Sequence, residues 1–161
     1  MSLNTLHDSI RLGDDRHVHE PLDGDILLAA IQRSTAHEKP VVLVVDDNKA
    51  VGMMLESALR HFGFVVRLAV TGREAVELYR ESQQSIDLVL LDVQMPGMDG
   101  PATLTAIQTI NPAVRCCFMS GHTGKYTTEE LLDMGAAHLL SKPFVNLNLL
   151  IRLLWVLVGS K

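Results

Sequence analysis

The sequence contains little cysteine and no excess of positive charge. Its two cysteines, Cys116 and Cys117, are adjacent in an apolar stretch. Side chains of neighbouring residues in a strand point to opposite faces, so we expect no disulfide bond between them and a reduced, cytoplasmic protein. Lysine and arginine number 14 against 19 aspartates and glutamates, which gives a net charge of −5 with neutral histidine. This charge argues against a nucleic-acid partner, because phosphate binding requires a basic surface.

A long hydrophobic run is also missing. The opening sequence MSLNTLHDSIRLGDD has no continuous apolar core of the kind found in signal peptides. The longest apolar stretch, 147–158, is interrupted by Asn148 and Arg152 and is too short to cross a bilayer. We therefore expect a soluble protein without membrane insertion. Its 161 residues, 47% of them hydrophobic, are enough for one compact domain and an extension.

Apolar blocks and helical patterns alternate along most of the chain. Five blocks predict buried strands, at 41–45, 64–70, 87–92, 114–120 and 137–141. Helical patterns are predicted near 50–62, 73–82, 100–110, 127–135 and 146–158. Thr127 and Glu130 form a capping box at the start of the fourth helix, and Gly63 ends the first. The repeated alternation predicts an α/β fold, with a parallel sheet covered by helices on both faces.

Residues 1–39 fit no unit of this repeat. We interpret them as an N-terminal extension, with a short helix at 23–34 and a linker before the first strand. Residues 40–161 form the α/β domain. The last helical pattern is apolar on nearly all sides, so we expect it to be covered either by a second copy of the chain, in a homodimer, or by apolar residues of the extension.

Polar residues stand at the carboxyl ends of four predicted strands, the edge beyond which open α/β sheets bind ligands. The residues that we expect to meet there are Asp46, Asp47, Asp92, Ser120 and Lys142. Asp92 closes the apolar run LVLLD, and a carboxylate at such a position is costly unless it is paired. Taken alone, Asp47 is also interpreted as the N-cap of the helix that begins near Ala50.

The acids at this edge require a cation. Carboxylates about 5 Å apart repel each other by roughly 3 kcal/mol at an effective dielectric constant near 20. Oxygen ligands favour Mg²⁺, and the lack of convergent cysteine or histidine argues against zinc. A bound Mg²⁺ would also reduce the repulsion of an incoming phosphoryl group. Lys142 and the Ser120 hydroxyl would stabilise the phosphoryl oxygens, which leaves Asp92 as the nucleophile that forms an aspartyl phosphate.

Four motifs in this order, VVLVVDDN, LVLLDVQMPGMDG, FMSG and LLSKPF, resemble the receiver domain of two-component response regulators. The resemblance covers about residues 40–158. It implies a flavodoxin-like, doubly wound three-layer sandwich with five parallel strands in the order 2-1-3-4-5. It also implies Mg²⁺-dependent transfer of a phosphoryl group to an aspartate, from the phosphohistidine of a sensor histidine kinase or from a phosphotransfer protein.

The resemblance assigns a role to individual positions. The matching residues are Asp92 as phosphoacceptor, Asp46 and Asp47 as metal-binding acids, Gln94 as the residue whose backbone carbonyl completes the metal shell, Ser120 as switch hydroxyl and Lys142 as phosphate-binding lysine. The peptide bond between Lys142 and Pro143 is implied to be cis. His122 matches a position that tunes the lifetime of the phosphoryl group. Leu139 departs from the family, which commonly carries Tyr or Phe there as a switch residue.

The implied function is that of a signalling receiver, not of an enzyme that acts on other molecules. Phosphorylation of Asp92 would switch a surface that binds a downstream protein. No output domain is expected in this chain, which is interpreted as a stand-alone receiver or as part of a longer protein.

Three alternatives stand beside the receiver. A pseudo-receiver scaffold that works without phosphorylation is favoured only by Leu139. A phosphatase of the haloacid dehalogenase type is disfavoured, because Gln94 occupies the place of its second acid. An FMN carrier is disfavoured because the loop DDNKA, after the first strand, is acidic.

Overall fold

The computed structural model describes residues 39–159, which form five strands alternating with five helices. In chain order the elements are β1 (Val41–Val45), α1 (Lys49–His61), β2 (Val65–Ala69), α2 (Gly72–Ser82), β3 (Leu88–Asp92), α3 (Gly100–Ile110), β4 (Cys116–Ser120), α4 (Thr128–Asp133), β5 (His138–Ser141) and α5 (Leu147–Gly159). The predicted helix at 23–34 and nearly all of the extension lie outside the described residues.

The strands form one sheet in the order β2-β1-β3-β4-β5, and every neighbouring pair is parallel. This confirms the doubly wound fold of order 2-1-3-4-5. Val45 of β1 pairs with Leu91 of β3, and Asp92 pairs with Met119 of β4. The carboxyl ends of β1, β3 and β4 therefore lie side by side, and the residues that follow them emerge at one edge of the sheet.

Alternate residues of the strands fill two cores, one on each face of the sheet. Leu43 and Val45 belong to the core that contains residues of α2, α3 and α4, for example Tyr79 and Ile107. Val42 and Val44 belong to the core that α1 and α5 cover. The result is the predicted three-layer sandwich, in which β1 is buried on both sides as parallel strands usually are.

The two cysteines behave as neighbouring strand residues should. Cys116 lies in the core with α2, α3 and α4, whereas Cys117 lies in the opposite core. Both are free, as predicted. Burial raises the pKa of the Cys117 thiol to about 12, so this thiol stays protonated at neutral pH.

The start of α1 corrects one interpretation of the sequence. The N-cap is Asn48, not Asp47: the Asn48 side-chain oxygen accepts the N–H groups of Ala50 at 3.0 Å and Val51 at 3.4 Å. The capping box of α4 is present as predicted. Thr127 Oγ1 accepts the Glu130 N–H at 3.1 Å, and Glu130 Oε2 accepts the Thr127 N–H at 2.7 Å.

The apolar helix α5 is covered largely by the domain itself. Its buried residues are Leu150, Ile151, Leu153, Leu154 and Val158. Leu149, Val156 and Leu157 are half-buried, and none of the large apolar side chains of α5 is fully exposed in the described chain. The homodimer through this helix stays a prediction, and the alternative cover by the extension lies outside the described residues. No helix within residues 39–159 has both the length and the apolar character needed to cross a membrane.

Candidate functional site

Three carboxylates meet at the carboxyl edge of the sheet. Asp46 and Asp47 follow β1 directly, and Asp92 ends β3, the neighbouring strand. One oxygen atom from each side chain lies within 4.8 Å of the other two. Asp46 and Asp92 are buried, with 2% and 6% of their surface exposed, whereas Asp47 is exposed. The sheet therefore brings together the acids that the strand-end pattern pointed to.

Lys142 supplies a positive charge inside this cluster. Its Nζ lies 2.8 Å from Asp46 Oδ2 and 3.0 Å from Asp92 Oδ1. The backbone N–H of Lys142 donates to the carbonyl of Ser120 at 2.8 Å, which joins the start of the lysine's loop to the end of β4. The peptide bond from Lys142 to Pro143 is cis. One lysine neutralises one of the three carboxylates, so two negative charges stay uncompensated.

The uncompensated charge and the donor atoms fit a hard divalent cation such as Mg²⁺. All three side chains offer carboxylate oxygens, and within residues 39–159 neither histidine nor cysteine joins the cluster. Asp46 is held in place from two sides. Its Oδ1 accepts the Asn48 N–H at 2.9 Å, and its own N–H donates to the carbonyl of Ala69 at 3.1 Å. Asp47 is the exposed acid of the three, and it lines a cleft that opens beside the cluster.

Burial raises the pKa of the Asp92 carboxyl group above its ordinary value, and the charges of Asp46 and Asp47 raise it further. The hydrogen bond and charge of Lys142 act in the opposite direction without cancelling these effects. For Lys142, burial alone would lower the pKa, but its hydrogen bonds and the charges of Asp46 and Asp92 outweigh burial and raise it. Lys142 therefore keeps its charge at neutral pH, while ionising Asp92 costs free energy that a bound cation would offset.

Ser120 offers a hydroxyl group that the protein leaves unused. It ends β4, the strand beside β3, and its Oγ is buried without a hydrogen-bond partner among the described residues. A buried hydroxyl in this condition costs about 1–3 kcal/mol. Such a group is typical of a site that binds a ligand.

Asp99 and Gly100, the last two residues of the motif MPGMDG, have structural roles at the beginning of α3. A Cβ atom on Gly100 would run into the carbonyl oxygen of Asp92, and the Gly100 N–H donates to the carbonyl of Val93 at 3.0 Å. Asp99 is the N-cap of α3, with its Oδ1 accepting the Ala102 N–H at 2.9 Å. Glycine at position 100 thus allows the main chain of Asp92 to lie against the beginning of α3.

A cleft of about 530 Å³ opens beside the acids. The loop 93–99 lines one part of it, and Thr123, Lys125 and Tyr126 from the loop between β4 and α4 line another. The Tyr126 hydroxyl donates to Asp99 Oδ2 at 2.9 Å. Sequence reasoning missed Tyr126, because it is 27 residues from Asp99 and no periodic pattern connects the two.

The other residues to which the receiver-domain resemblance assigns a role lie near the acid cluster or in the core. Gln94 is exposed, and its side-chain amide lies where a Cβ atom on Gly124 would be. His122 is exposed in the loop after β4. Leu139 is half-buried in β5 and packs against the core with α2, α3 and α4. Their functional roles stay predictions.

Comparisons with known proteins identify the family. Residues 42–154 match the response regulator receiver domain. The transcriptional regulatory protein ZraR of Escherichia coli strain K12 is 43% identical over 107 residues, which are 66% of this chain and 24% of ZraR. The chain therefore belongs to the response regulator receiver family. It spans about a quarter of the length of ZraR.

Solved structures agree with this assignment. A response regulator receiver protein from Burkholderia phymatum is 33% identical, with a TM-score of 0.65, over 76% of this chain and 98% of that one. A structure of the CheX-CheY-BeF3-Mg+2 complex from Borrelia burgdorferi is 30% identical, with a TM-score of 0.66, over 73% of this chain and 88% of that one.

Proposed function

We propose that this chain is a phosphoacceptor receiver in a two-component phosphorelay and that Asp92 is the residue phosphorylated. The observation that carries the proposal is the placement of Lys142, which contacts both Asp46 and Asp92 at the edge where the unpartnered Ser120 hydroxyl ends β4. A nucleophilic carboxylate, a fixed cation and a free hydroxyl are the groups that phosphoryl transfer to a protein side chain requires.

The chemistry follows from these groups. A carboxylate oxygen of Asp92 attacks the phosphorus atom of a phosphohistidine, and the new P–O bond forms as the P–N bond breaks. The bonding electrons stay on the imidazole nitrogen, which takes up a proton from water. Lys142 and Ser120 stabilise the negative oxygens of the phosphoryl group as it arrives. Attack of water on the same phosphorus later returns the Asp92 carboxylate and inorganic phosphate.

The acids would hold the metal ion. Asp46, Asp47 and Asp92 would bind Mg²⁺, with the backbone carbonyl of Gln94 as a further ligand. A bound Mg²⁺ neutralises the charge that otherwise repels the phosphoryl group from this edge. The protein's own contribution is to fix Asp46 through Asn48 and to keep Lys142 charged beside the nucleophile.

The partners follow from the same role. The donor is a sensor histidine kinase or a phosphotransfer protein, and the readout is a protein-binding surface that changes when Asp92 is phosphorylated. A cytoplasmic location suits this exchange, and a homodimer through α5 is one form that the readout would take. Catalysis is limited to the protein's own phosphorylation and dephosphorylation. His122 and Leu139 set the lifetime and the transmission of the signal.

Phosphoramidate, a small donor with the P–N bond of phosphohistidine, tests the proposal. The intact mass of the protein is measured after incubation with phosphoramidate, with and without Mg²⁺. We expect one added phosphoryl group that requires Mg²⁺ and is absent from Asp92→Asn. The exposed acid Asp133 on α4 provides a matched control, since Asp133→Asn should be phosphorylated like wild type. A folded protein that gains no mass would instead favour the pseudo-receiver scaffold.

A further inference from the structure

Asp99 joins two parts of the site through its two carboxylate oxygens. Its Oδ1 caps α3 by accepting the Ala102 N–H, and its Oδ2 accepts the Tyr126 hydroxyl at 2.9 Å. Tyr126 belongs to the segment 121–127, which runs from Ser120 at the end of β4 to α4. One hydrogen bond between side chains thus connects this segment to the beginning of α3.

Neighbouring side chains support the bond between Tyr126 and Asp99. The Lys125 Nζ lies 3.8 Å from Asp99 Oδ2 and 5.0 Å from the centre of the Tyr126 ring. On the other wall of the cleft, the Gln94 amide lies against Gly124, where a Cβ atom would not fit. The position of the segment 121–127 is therefore set by contacts with the loop that follows Asp92.

Ser120 has an unsatisfied hydroxyl group, and the residue after it borders open space. The Ser120 Oγ is buried without a hydrogen-bond partner within residues 39–159, and a Cβ atom on Gly121 would meet no atom within 4 Å. The carbonyl of Ser120 is bonded to the Lys142 N–H, so the chain is held on that side. Displacement of Ser120 towards a group on Asp92 must then be accommodated by the segment 121–127.

Tyr126 also brings an aromatic ring to the core that Leu139, an aliphatic residue, contacts from β5. Tyr126 and Leu139 pack against the same core, on the face covered by α2, α3 and α4. The side chain of Leu139 is aliphatic and has no polar atom that could bond to the segment 121–127. Tyr126 has both an aromatic ring in that core and a hydroxyl that bonds across the cleft.

We propose that Tyr126 is a positioning residue: its hydrogen bond to Asp99 holds the segment 121–127 in the arrangement of the unphosphorylated protein, and phosphorylation releases it. The inference rests on the proposed function, because the releasing event is the movement of Ser120 towards aspartyl phosphate. The bond between Tyr126 and Asp99 then opposes phosphorylation, and its removal shifts the population towards the phosphorylation-competent arrangement.

Rates of phosphorylation by phosphoramidate with Mg²⁺ provide one test. Tyr126→Phe keeps the ring but loses the bond, and we expect it to be phosphorylated about fivefold faster than wild type. Tyr79→Phe is the matched control, because the Tyr79 oxygen also takes part in one side-chain hydrogen bond, from Asn111 Nδ2 at 2.9 Å, on α2 away from the acids. If Tyr126 has only a structural role, Tyr126→Phe will be phosphorylated no faster than Tyr79→Phe. That result overturns the inference.

Nuclear magnetic resonance of ring-labelled tyrosine tests the release in the wild-type protein. The chain has two tyrosines, so two sets of signals are expected, and the two Phe variants assign them. Phosphorylation should shift the Tyr126 signals and leave those of Tyr79 in place. Intact mass of the same sample separates the outcomes. An added phosphoryl group with unmoved Tyr126 signals overturns the proposed role of Tyr126 alone, whereas no added group under any donor overturns both that role and the proposed function.

Discussion

At the scale of single residues, the folded protein makes the charged form of Asp92 costly, because burial raises the pKa of its carboxyl group. Asp92 is 6% exposed, and two further acids lie beside it. The acids could be predicted because each directly follows an apolar strand, and parallel strands end at one edge. The contacts of Lys142 with Asp46 and Asp92 could not be predicted, because they depend on the reach of side chains across four strands of the sheet.

The difference in stability between Asp92→Asn and the wild-type protein should depend on pH. Because the pKa of Asp92 is raised in the folded state, the folded protein binds its proton more tightly than the unfolded chain does. The free energy of unfolding therefore falls as the pH rises from the ordinary value of 3.8 through the folded pKa. In Mg²⁺-free buffer, Asp92→Asn should therefore gain stability relative to wild type as the pH rises from 3.8 towards neutral. Urea unfolding should show this difference shrinking as the pH is lowered towards 3.8, and a constant difference would contradict it.

Removal of the Ser120 hydroxyl should slow phosphorylation without lowering the free energy of unfolding. Ser120→Ala deletes a buried group without a partner, so the free energy of unfolding should stay unchanged or rise by up to about 1 kcal/mol. Phosphorylation by phosphoramidate should slow on the order of tenfold, because one donor to the phosphoryl oxygens is lost. Ser141, exposed and paired with Ser120 in the sheet register, supplies the control Ser141→Ala. A clear loss of stability in Ser120→Ala would show that the hydroxyl is bonded in solution.

At the scale of the elements, the apolar patterns predicted every strand and helix of residues 39–159, and the ends of some of them, such as β1 and α3. Other ends differ by a few residues. Phe64 and Val114 are buried, yet they lie outside β2 and β4, because burial begins before the first paired residue of each strand. The N-cap of α1 lies one residue after Asp47, the cap considered from the sequence. Aspartate and asparagine are both good caps, and the extended backbone of Asn48, with φ −82° and ψ 99°, together with its side-chain hydrogen bonds places it at the cap position.

Substitution can test that Asn48, and not Asp47, caps α1. Asn48→Ala should lower the free energy of unfolding by about 1 kcal/mol, because two N–H groups at the beginning of α1 lose their acceptor. Asp47→Ala should not destabilise the protein in Mg²⁺-free buffer, since it removes an exposed charge beside two other acids. Chemical denaturation of both variants measures the difference, and a greater loss in Asp47→Ala would reverse the assignment.

At the scale of the whole molecule, the acid cluster connects segments far apart in the sequence. Asp46 follows β1 and Lys142 follows β5, so the ion pair between them spans 96 residues and exists only in the folded protein. A ligand that binds this cluster stabilises the entire fold, because the unfolded chain has no such site.

Mg²⁺ should therefore raise the unfolding temperature more than sodium chloride of equal ionic strength does. At a concentration about 100 times its dissociation constant, the ion would add roughly 2.7 kcal/mol to the free energy of unfolding. Asp47→Asn should lose most of this effect, because it removes an oxygen ligand without disturbing the buried acids. Asp133→Asn should keep it. Equal stabilisation of Asp47→Asn and wild type would place the ion elsewhere.

The most direct measurement locates the phosphoryl group among the three acids. Wild-type protein is incubated with phosphoramidate and Mg²⁺, reduced with borohydride, which converts aspartyl phosphate to homoserine, and mapped by peptide mass spectrometry. We predict homoserine at position 92 and unchanged aspartate at 46 and 47, with no conversion when the donor is left out. Homoserine at position 46 or 47, or a phosphorylated protein with aspartate intact at position 92, would contradict the assignment of Asp92 as the phosphoacceptor.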